Sequence, residues 1–432
     1  MDHDIRQAFE PNRAGLDLGR DLLLAPSTPA GPLPDLGAGV GGAEGVGPER
    51  ALRELGAAVL SGAAHLDAPG FFAHMDPATP WITWVANQWA ARLNQNLLHP
   101  DTGDLARQLE HRVIDVLAPV WGMDGGHLVP GSTVANLTAL WAARDLRRVT
   151  TVVASEAAHL SVAKAAHILG LDYRPLPTDP EGRLDLSLHI DHGPSGGSQA
   201  NRGGPLDGVD LNRTAVVLTA GTTSTGTIDV LRRPDVAWVH VDAAWAGPLR
   251  LSSHWRHLLN GIEAADSVAV SAHKWLFQPK ESAMVLFNRT AEAHEALSFD
   301  GAYLAAPNVG VLGSHGFSAL PLAATIHAYG LDGLSRWVSH GMDLAAHLSE
   351  RIAAHPDLEQ RGQGPGSGIV VWRYRGADSR SVQARLVDAF VSVTEIEGEA
   401  WLRSVAANPL ANPDLVVDAV IAAGGGGAGL PG

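Results

Sequence analysis

The strongest constraint on the fold is an alternation between short apolar runs and helical segments. Apolar residues recur at helix spacing in residues 51–66, 80–98, 104–117 and 134–148. Strands that alternate with helices predict an α/β fold, with a largely parallel sheet that is covered on both faces. The strand-like runs are residues 151–153, 215–218, 236–241, 268–270 and 283–287.

Length and local composition predict how the chain divides. A chain of 432 residues with 45% hydrophobic content is more often two domains than one. Proline and glycine dominate residues 26–48, so residues 1–50 are predicted to be an N-terminal arm or linker. Residues 51–312 are then the large domain. Helical patterns followed by two strand-like segments, near Ile369 and Trp401, predict a smaller C-terminal α+β domain over residues 313–432.

Composition narrows the classes of partner. The net charge of −15 argues against a nucleic-acid or anionic-membrane surface, because both need clustered lysine and arginine. The chain has no cysteine, which excludes disulfides, thiolate metal sites and cysteine nucleophiles. No metal site is predicted from the remaining residues. The start of the chain lacks a secretory signal pattern, and no apolar run approaches membrane length, so we expect a cytoplasmic protein with a small-molecule substrate.

A lysine and an aspartate follow two of the predicted strands. Lys274 comes after the run 268–270, and Asp242 closes the run 236–241. Ligands of parallel sheets bind beyond the carboxyl ends of the strands. There the pair matches a pyridoxal phosphate enzyme, because the amine forms a Schiff base and the carboxylate keeps the pyridine nitrogen protonated. Taken singly, each has an ordinary alternative, a solvated surface lysine and a turn-capping aspartate.

Two further segments have residues suited to such a cofactor. Gly131, Ser132 and Thr133 precede the helix predicted over residues 134–148, and the free N–H groups of a helix N-terminus suit a phosphate. An ordinary serine or threonine cap is the alternative. His159 follows the strand at 151–153, where an imidazole can stack on the cofactor ring; a capping or buried histidine is the alternative.

A glycine turn and the neighbours of the lysine complete the candidate site. Thr222 follows the turn at Gly221, from which its hydroxyl could reach the cofactor or substrate, with plain turn chemistry as the alternative. Ser271 and His273 flank the lysine segment and could support the phosphate. The order of phosphate loop, histidine, threonine turn, aspartate and lysine is hard to obtain by accident.

Four segments also show a resemblance to a known family. They are residues 71–75 (FFAHM), 93–96 (LNQN), 240–247 (HVDAAWAG) and 272–276 (AHKWL). They resemble the group II pyridoxal-phosphate-dependent amino-acid decarboxylases, which include aromatic amino-acid, histidine, glutamate and diaminobutyrate decarboxylases. The resemblance runs from about Pro48 to Asp418 and is most specific around the lysine.

The resemblance implies a fold and a set of roles. The implied fold is the aspartate-aminotransferase-like fold type I, and the implied assembly is a homodimer with the active site at the subunit interface. Lys274 would be the Schiff-base lysine, Asp242 the partner of the pyridine nitrogen and His159 the residue that stacks on the ring. The other implied cofactor positions are Ser132, Thr133, Ser271 and His273 on the phosphate side, and Thr222 and Ala244 against the ring.

The activity implied by the resemblance is decarboxylation of an L-amino acid to the amine through an external aldimine and a quinonoid. The substrate amine would displace Lys274 from pyridoxal 5'-phosphate. The bond to the carboxylate would break when it stands perpendicular to the ring, and electrons would flow toward the nitrogen paired with Asp242. Protonation of the α-carbon would then release the amine, which requires an acid on the correct face.

The sequence departs from the family after the lysine segment. Family members protonate the α-carbon with a tyrosine on a mobile loop, whereas residues 299–314 are short here and contain only Tyr303, which resembles the position before that loop. His315 stands where family members carry basic residues. Without the proton donor, the alternative is a pyridoxal phosphate enzyme with a different outcome. Such an enzyme would be an oxidative, aldehyde-forming enzyme, a lyase or an aminotransferase. A third hypothesis, a non-catalytic homologue, is disfavoured because Lys274 and Asp242 are both present.

The segment 74–77 (HMDP) resembles the edge of the family's substrate pocket. His74 and Asp76 therefore join Tyr303 and His315 as predicted substrate residues. An inward-pointing Asp76 would favour a cationic side chain such as that of diaminobutyrate. The alternative is a helix or turn cap before the following proline.

Overall fold

The computed structural model describes residues 12–25, 31–34, 45–192, 198–200, 204–302, 304, 307–362, 364 and 366–425. The chain divides into two compact units, Met1–His65 and Leu66–Gly432. Helices α1 (Arg13–Leu24) and α2 (Pro48–Gly62) of the first unit pack on each other, so part of the predicted arm is helical. The boundaries expected at residues 50 and 312 stay predictions. No helix in the described ranges is both long and apolar enough to cross a membrane.

The second unit is built around a seven-stranded sheet. The strands in chain order, with a separate β4–β5 hairpin, are β1 (Gly125–Val129), β2 (Thr151–Ser155), β3 (Asp172–Leu176), β4 (Ile190–His192), β5 (Ser198–Ala200), β6 (Thr214–Thr219), β7 (Trp238–Asp242), β8 (Ser267–Val270) and β9 (Ala283–Phe287). The sheet order is β1-β9-β8-β7-β6-β2-β3, and only β9 runs opposite to its neighbours. The prediction of a largely parallel sheet is confirmed. Its edge strands β1 and β3 were not predicted from the sequence.

Burial explains why the central strands are so apolar. Every residue of β6, β7, β8 and β9 is buried, as a sheet covered on both faces requires. In chain order, the helices of this part are α3 (Trp81–Leu93), α4 (Pro100–Leu117), α5 (Ser132–Arg147), α6 (Leu160–Leu169) and α7 (Thr290–Ala296). Helix α5 packs across β7 to β9, and α4, the helix before β1, packs against β1.

The C-terminal part has its own antiparallel sheet. A two-residue ladder of β10 (Ser298–Phe299) with β11 (Asn308–Val309) leads into helix α8 (Ala319–Ala353), which breaks at Gly330, where φ is +66°. The sheet order is β12-β13-β15-β14, which confirms the expected smaller α+β region. Its elements are β12 (Leu358–Arg361), β13 (Ile369–Tyr374), α9 (Ser379–Ala384), β14 (Ser392–Ile396), β15 (Glu399–Val405) and α10 (Pro413–Gly425).

Two stacked tryptophans tie the loops beyond β7 and β8 to the C-terminal sheet. The rings of Trp245 and Trp275 lie 4.3 Å apart at 19°. Trp245 Nε1 donates to the carbonyl of Ser367 at 2.7 Å, and Trp275 Nε1 donates to the carbonyl of Ala406 at 2.8 Å. Because Trp275 adjoins Lys274, this packing fixes the backbone from which the lysine side chain extends.

Candidate active site

Asp242 lies at the edge where the parallel strands end. It is the last residue of β7 and pairs across the ladder with Thr219 of β6 and Ala269 of β8. Its side chain is 5% exposed. Oδ2 accepts from Nδ2 of Asn136 at 2.8 Å, and Oδ1 accepts from the backbone N–H of Ala244 at 3.1 Å. The carboxylate therefore has a fixed orientation and keeps free lone pairs for a further donor.

Lys274 occupies the turn after β8. Its backbone N–H donates to the carbonyl of Ser271 at 3.2 Å. Burial lowers the pKa of its amine below the ordinary value of 10.5, and the charge of Asp242 opposes that shift. Lys280 and Arg403 lower the pKa further, whereas Asp76 raises it. The amine is thus close enough to Asp242 to interact with it, and its lowered pKa favours the neutral, nucleophilic form.

The start of α5 and the lysine loop come together on the predicted phosphate side. Ser132 Oγ lies 2.6 Å from Ser271 Oγ. Gly131 is the N-cap of α5 and makes no side-chain cap, while Thr133 is exposed. His273 Nδ1 is buried with no hydrogen-bond partner among the described residues. This edge therefore offers hydroxyls, a helix N-terminus and an imidazole to an anion.

Burial is the main reason that His273 is a neutral group. It lowers the pKa of His273 to about 4, and the positive charges of Lys280 and Lys274 add to the shift. The backbone N–H of His273 donates to the carbonyl of Ser282 at 2.9 Å, which holds the residue in place. At pH 7 His273 can therefore offer a hydrogen bond to an anion but not a positive charge.

His159 is both a helix cap and a member of the cluster. As the N-cap of α6, it accepts at Nδ1 from the backbone N–H of Ser161 at 3.2 Å. Burial lowers the pKa of the imidazole; the charge of Asp242 opposes the shift, and that of Lys274 adds to it. The two interpretations of His159 from sequence therefore do not exclude each other.

The turn after β6 lies beside Asp242. The backbone N–H of Ala220 donates to the carbonyl of Asp242 at 2.9 Å. Gly221 has φ +96°, and a Cβ there would come within 2.8 Å of the Trp245 ring, so the turn requires glycine. The hydroxyl of Thr222 accepts from the N–H of Thr227 at 3.1 Å. Thr222 therefore takes part in turn chemistry at the place predicted for a cofactor contact.

The four residues predicted to bind the substrate lie in different surroundings. Asp76 forms an ion pair with Lys280, so its carboxylate is already neutralised by the chain. His74 is exposed and packs at 5.9 Å from the ring of Phe390. His315 lines a cavity of about 400 Å³ together with Lys280. Tyr303 lies outside the described residues.

Two residues of the cluster were not expected from the sequence. Asn136 bonds Asp242 from α5, and Arg403 on β15 is 8% exposed. Arg403 Nη1 donates to the carbonyl of Ala73 at 3.2 Å, while its Nε is buried without a partner among the described residues. Burial lowers the pKa of Arg403 to about 10, so it stays charged at pH 7. Each residue has one sequence signal that could have drawn attention to it. For Asn136 the signal is a polar residue on a buried helix face, and for Arg403 it is a single arginine in an apolar strand.

Comparison with known proteins gives consistent matches. The pyridoxal-dependent decarboxylase conserved domain matches residues 208–375. The L-2,4-diaminobutyrate decarboxylase of Rhizobium meliloti is 29% identical, over 89% of this chain and 81% of the relative. The aspartate 1-decarboxylase of Aliivibrio fischeri is 26% identical, over 84% and 80%.

Solved structures share the architecture at lower sequence identity. The TDC of Oryza sativa, solved with PLP and tryptamine, has a TM-score of 0.79 at 20% identity and covers 99% of both chains. The glutamate decarboxylase domain of a Vibrio parahaemolyticus protein has a TM-score of 0.78 at 20% identity, covering 95% of this chain and 94% of that one. These likenesses establish the fold.

Proposed function

The chain belongs to the group II pyridoxal-phosphate-dependent decarboxylase family, and from that premise we propose that it removes the α-carboxyl group of an L-amino acid as carbon dioxide and releases the amine. Its fold is the fold type I expected from the sequence, and its cofactor is pyridoxal phosphate. The observation that carries the proposal is the placement of Asp242 at the end of β7 and of Lys274 beyond the end of the adjacent parallel strand β8, where the charge of Asp242 raises the pKa of the amine.

The residues at this edge fit the cofactor. Within the part of the chain that the structure describes, His273 Nδ1 is a buried polar atom without a partner, and the N-terminus of α5 has no side-chain cap. Both suit the phosphate, together with Ser132 and Ser271. Asp242 has free acceptor sites for the pyridinium N–H. Thr133, Thr222 and Ala244 are the remaining residues that we propose to line the cofactor.

Each residue at the centre has a role that follows from its chemistry. Lys274 would hold the cofactor aldehyde covalently, because its lowered pKa makes the amine nucleophilic. Asp242 would keep the proton on the pyridine nitrogen, and His159 would pack against the ring face. When bound, pyridoxal phosphate supplies the electron sink for the bond that breaks at the α-carbon.

We propose that Arg403 binds the substrate carboxylate. Its guanidinium is buried, charged and close enough to Lys274 to lower the pKa of that amine. Asp76 interacts with Arg403 electrostatically but bonds to Lys280 instead. A buried arginine with an unpaired donor suits a planar carboxylate. His74, Asp76, Tyr303 and His315 remain the predicted substrate residues around it.

The proposal includes the assembly and the location. A homodimer with an interfacial active site is supported by the exposed aromatic side chains of α3, Trp81, Trp84 and Trp89. A cytoplasmic location is part of the proposal as an expectation from the sequence alone.

Incubation with a panel of L-amino acids tests the reaction. Carbon dioxide, amine, aldehyde and hydrogen peroxide are followed together. We expect carbon dioxide and amine in equal amounts from one substrate class. Carbon dioxide with aldehyde and peroxide would replace the proposal with the oxidative outcome, and no product from any amino acid would contradict both.

The cofactor linkage has a separate test with a matched control. Lys274→Ala is expected to abolish the visible absorbance of the lysine-bound cofactor, because the covalent bond cannot form. Lys280→Ala removes a nearby exposed lysine that pairs with Asp76 and should keep the absorbance. An unchanged spectrum in Lys274→Ala would refute the assignment of Lys274.

A further inference from the structure

Asn136 links two predicted site residues. It bonds directly to Asp242 at the end of β7, and it reaches His159, which follows β2, through Ser161. We propose that Asn136 is a positioning residue whose single amide group sets the orientation of the Asp242 carboxylate and, through the hydroxyl of Ser161, stabilises one tautomer of His159. The inference deepens the proposed function, on which its catalytic meaning rests. The hydrogen bonds around the amide allow only one assignment of donors and acceptors.

The carboxylate of Asp242 determines how the amide is turned. Asn136 is fully buried on α5, and its Nδ2 lies 2.8 Å from Oδ2 of Asp242 and 2.9 Å from Oγ of Ser161. An ionised carboxylate only accepts hydrogen bonds, so the amide nitrogen must face it. The reversed amide would put two oxygens in contact. Both hydrogens of Nδ2 are therefore used, one for each partner.

The amide oxygen fixes a buried histidine on the other side. Oδ1 of Asn136 lies 2.9 Å from Nε2 of His240, which must donate. Burial lowers the pKa of His240 to about 4, so the ring is neutral at pH 7 and its Nδ1 accepts from Oγ of Ser267 at 2.8 Å. Ser267 in turn accepts from Trp238 Nε1 at 2.9 Å. Donation therefore runs in one direction from Trp238 to Asn136.

A branch of the same network reaches His159. Oγ of Ser161, which accepts from Asn136, lies 2.8 Å from Nδ1 of His159. The backbone N–H of Ser161 donates to that same atom. Nδ1 is therefore an acceptor, and the ring proton of His159 sits on Nε2. The neutral imidazole then presents an N–H donor to whatever binds beside Lys274.

A purely structural role predicts different behaviour, and the chain offers a comparison. Asn408 is also almost fully buried, but among the described residues its side chain bonds to backbone groups, with Nδ2 donating to the carbonyl of Ala68 at 2.8 Å. Removal of either amide leaves buried polar groups unpaired and costs stability. Only removal of Asn136 should also change the imidazole and the carboxylate of the site.

Nitrogen NMR of the cofactor-free protein tests the tautomer without any assay of activity. With ¹⁵N-labelled histidine at pH 7, the His159 ring, assigned by its disappearance in His159→Gln, is expected to show a proton on Nε2 and none on Nδ1. In Asn136→Ala a population protonated at Nδ1 is expected. Asn408→Ala should match the wild type. A His159 signal unchanged in folded Asn136→Ala would overturn the proposal.

Titration with pyridoxal phosphate tests the carboxylate branch. The Kd of Asn136→Ala for the cofactor is expected to rise about tenfold, because Asp242 loses one of its two hydrogen bonds. Ser161→Ala keeps the bond between Asn136 and Asp242, so it should raise that Kd less than Asn136→Ala does and should alter the His159 signal. If Asn136→Ala does not fold, Ser161→Ala carries the test, and an unchanged His159 signal in it would overturn the proposal. A failed decarboxylase assay would not affect either readout.

Discussion

At the scale of the residue, Arg403 is the side chain whose position is hardest to explain by stability alone. Its Nη1 bonds only to neutral acceptors, the carbonyl of Ala73 and Oγ of Ser392, both at 3.2 Å. The Nε atom has no partner in the described part of the chain. A buried charge without a bonded counter-charge is costly, so an anionic ligand is the natural source of compensation.

We therefore predict that Arg403→Gln raises the KM for the amino-acid substrate. Loss of a charge-assisted hydrogen bond costs about 1.5–3 kcal/mol, which corresponds to a fall in kcat/KM of roughly 10- to 100-fold. Steady-state rates at varied substrate concentration measure the effect. Arg373→Gln is the control, because Arg373 is bonded to Glu359 and Glu399 and should keep its kinetics. Equal kinetics in both variants would rule out the role proposed for Arg403.

At the scale of the element, the lysine loop is held by packing that reaches the start of β13. Gly368 has φ +80°, and a Cβ there would overlap the Trp275 ring. The same glycine accepts from the backbone N–H of Ala406, whose carbonyl accepts from Trp275. Displacement of this ring would therefore move the backbone beside Lys274.

Gly368→Ala is accordingly expected to lower both stability and cofactor loading. The positive φ costs about 1–2 kcal/mol, and overpacking against the ring adds about 1–3 kcal/mol. Gly376→Ala is a matched control, because Gly376 has φ +74° and open space around its Cβ position, so only the first cost applies. Denaturant unfolding and the visible absorbance of the bound cofactor measure the two effects. The prediction is wrong if both variants lose equal stability and neither loses absorbance.

The strands that the sequence predicts are the central ones, for a physical reason. Runs such as Ala283–Phe287 are buried at every residue and must be apolar throughout. Within the seven-stranded sheet, the two unpredicted strands are the edges. Gly125–Val129 begins with two glycines, and Asp172–Leu176 contains a proline and is largely exposed, so both lack a strand pattern. Edge strands have fewer neighbours and tolerate such residues.

At the scale of the whole molecule, the candidate site divides by how its residues are brought together. Lys274, Asp242 and His159 could be found from the sequence, because strand ends of a parallel sheet converge on one edge. Arg403 could not, because it meets Ala73 across most of the chain, and no local pattern encodes that contact. Asn136 could not be found from the sequence either. A polar residue on a helix can be buried or exposed, and only its partners show which.

The homodimer is a prediction about the whole molecule that can be tested by mass. The face of α3 exposes Trp81, Trp84, Trp89 and Leu93 in the single chain, an apolar patch suited to a second copy. Sedimentation equilibrium is expected to give about twice 45.3 kDa. Trp89→Glu should shift the mass toward the monomer, because a buried unpaired charge opposes association.

Cofactor loading then tells whether the dimer matters for the site. Ile168→Glu is the control, because Ile168 on α6 is as exposed as Trp89 but lies outside the α3 patch, and it should stay dimeric. If the active site lies at the interface, Trp89→Glu loses visible absorbance and activity in proportion to its monomer fraction, whereas Ile168→Glu keeps both. A monomeric wild type that decarboxylates at the full rate would refute the dimer and show that a single chain builds the complete site.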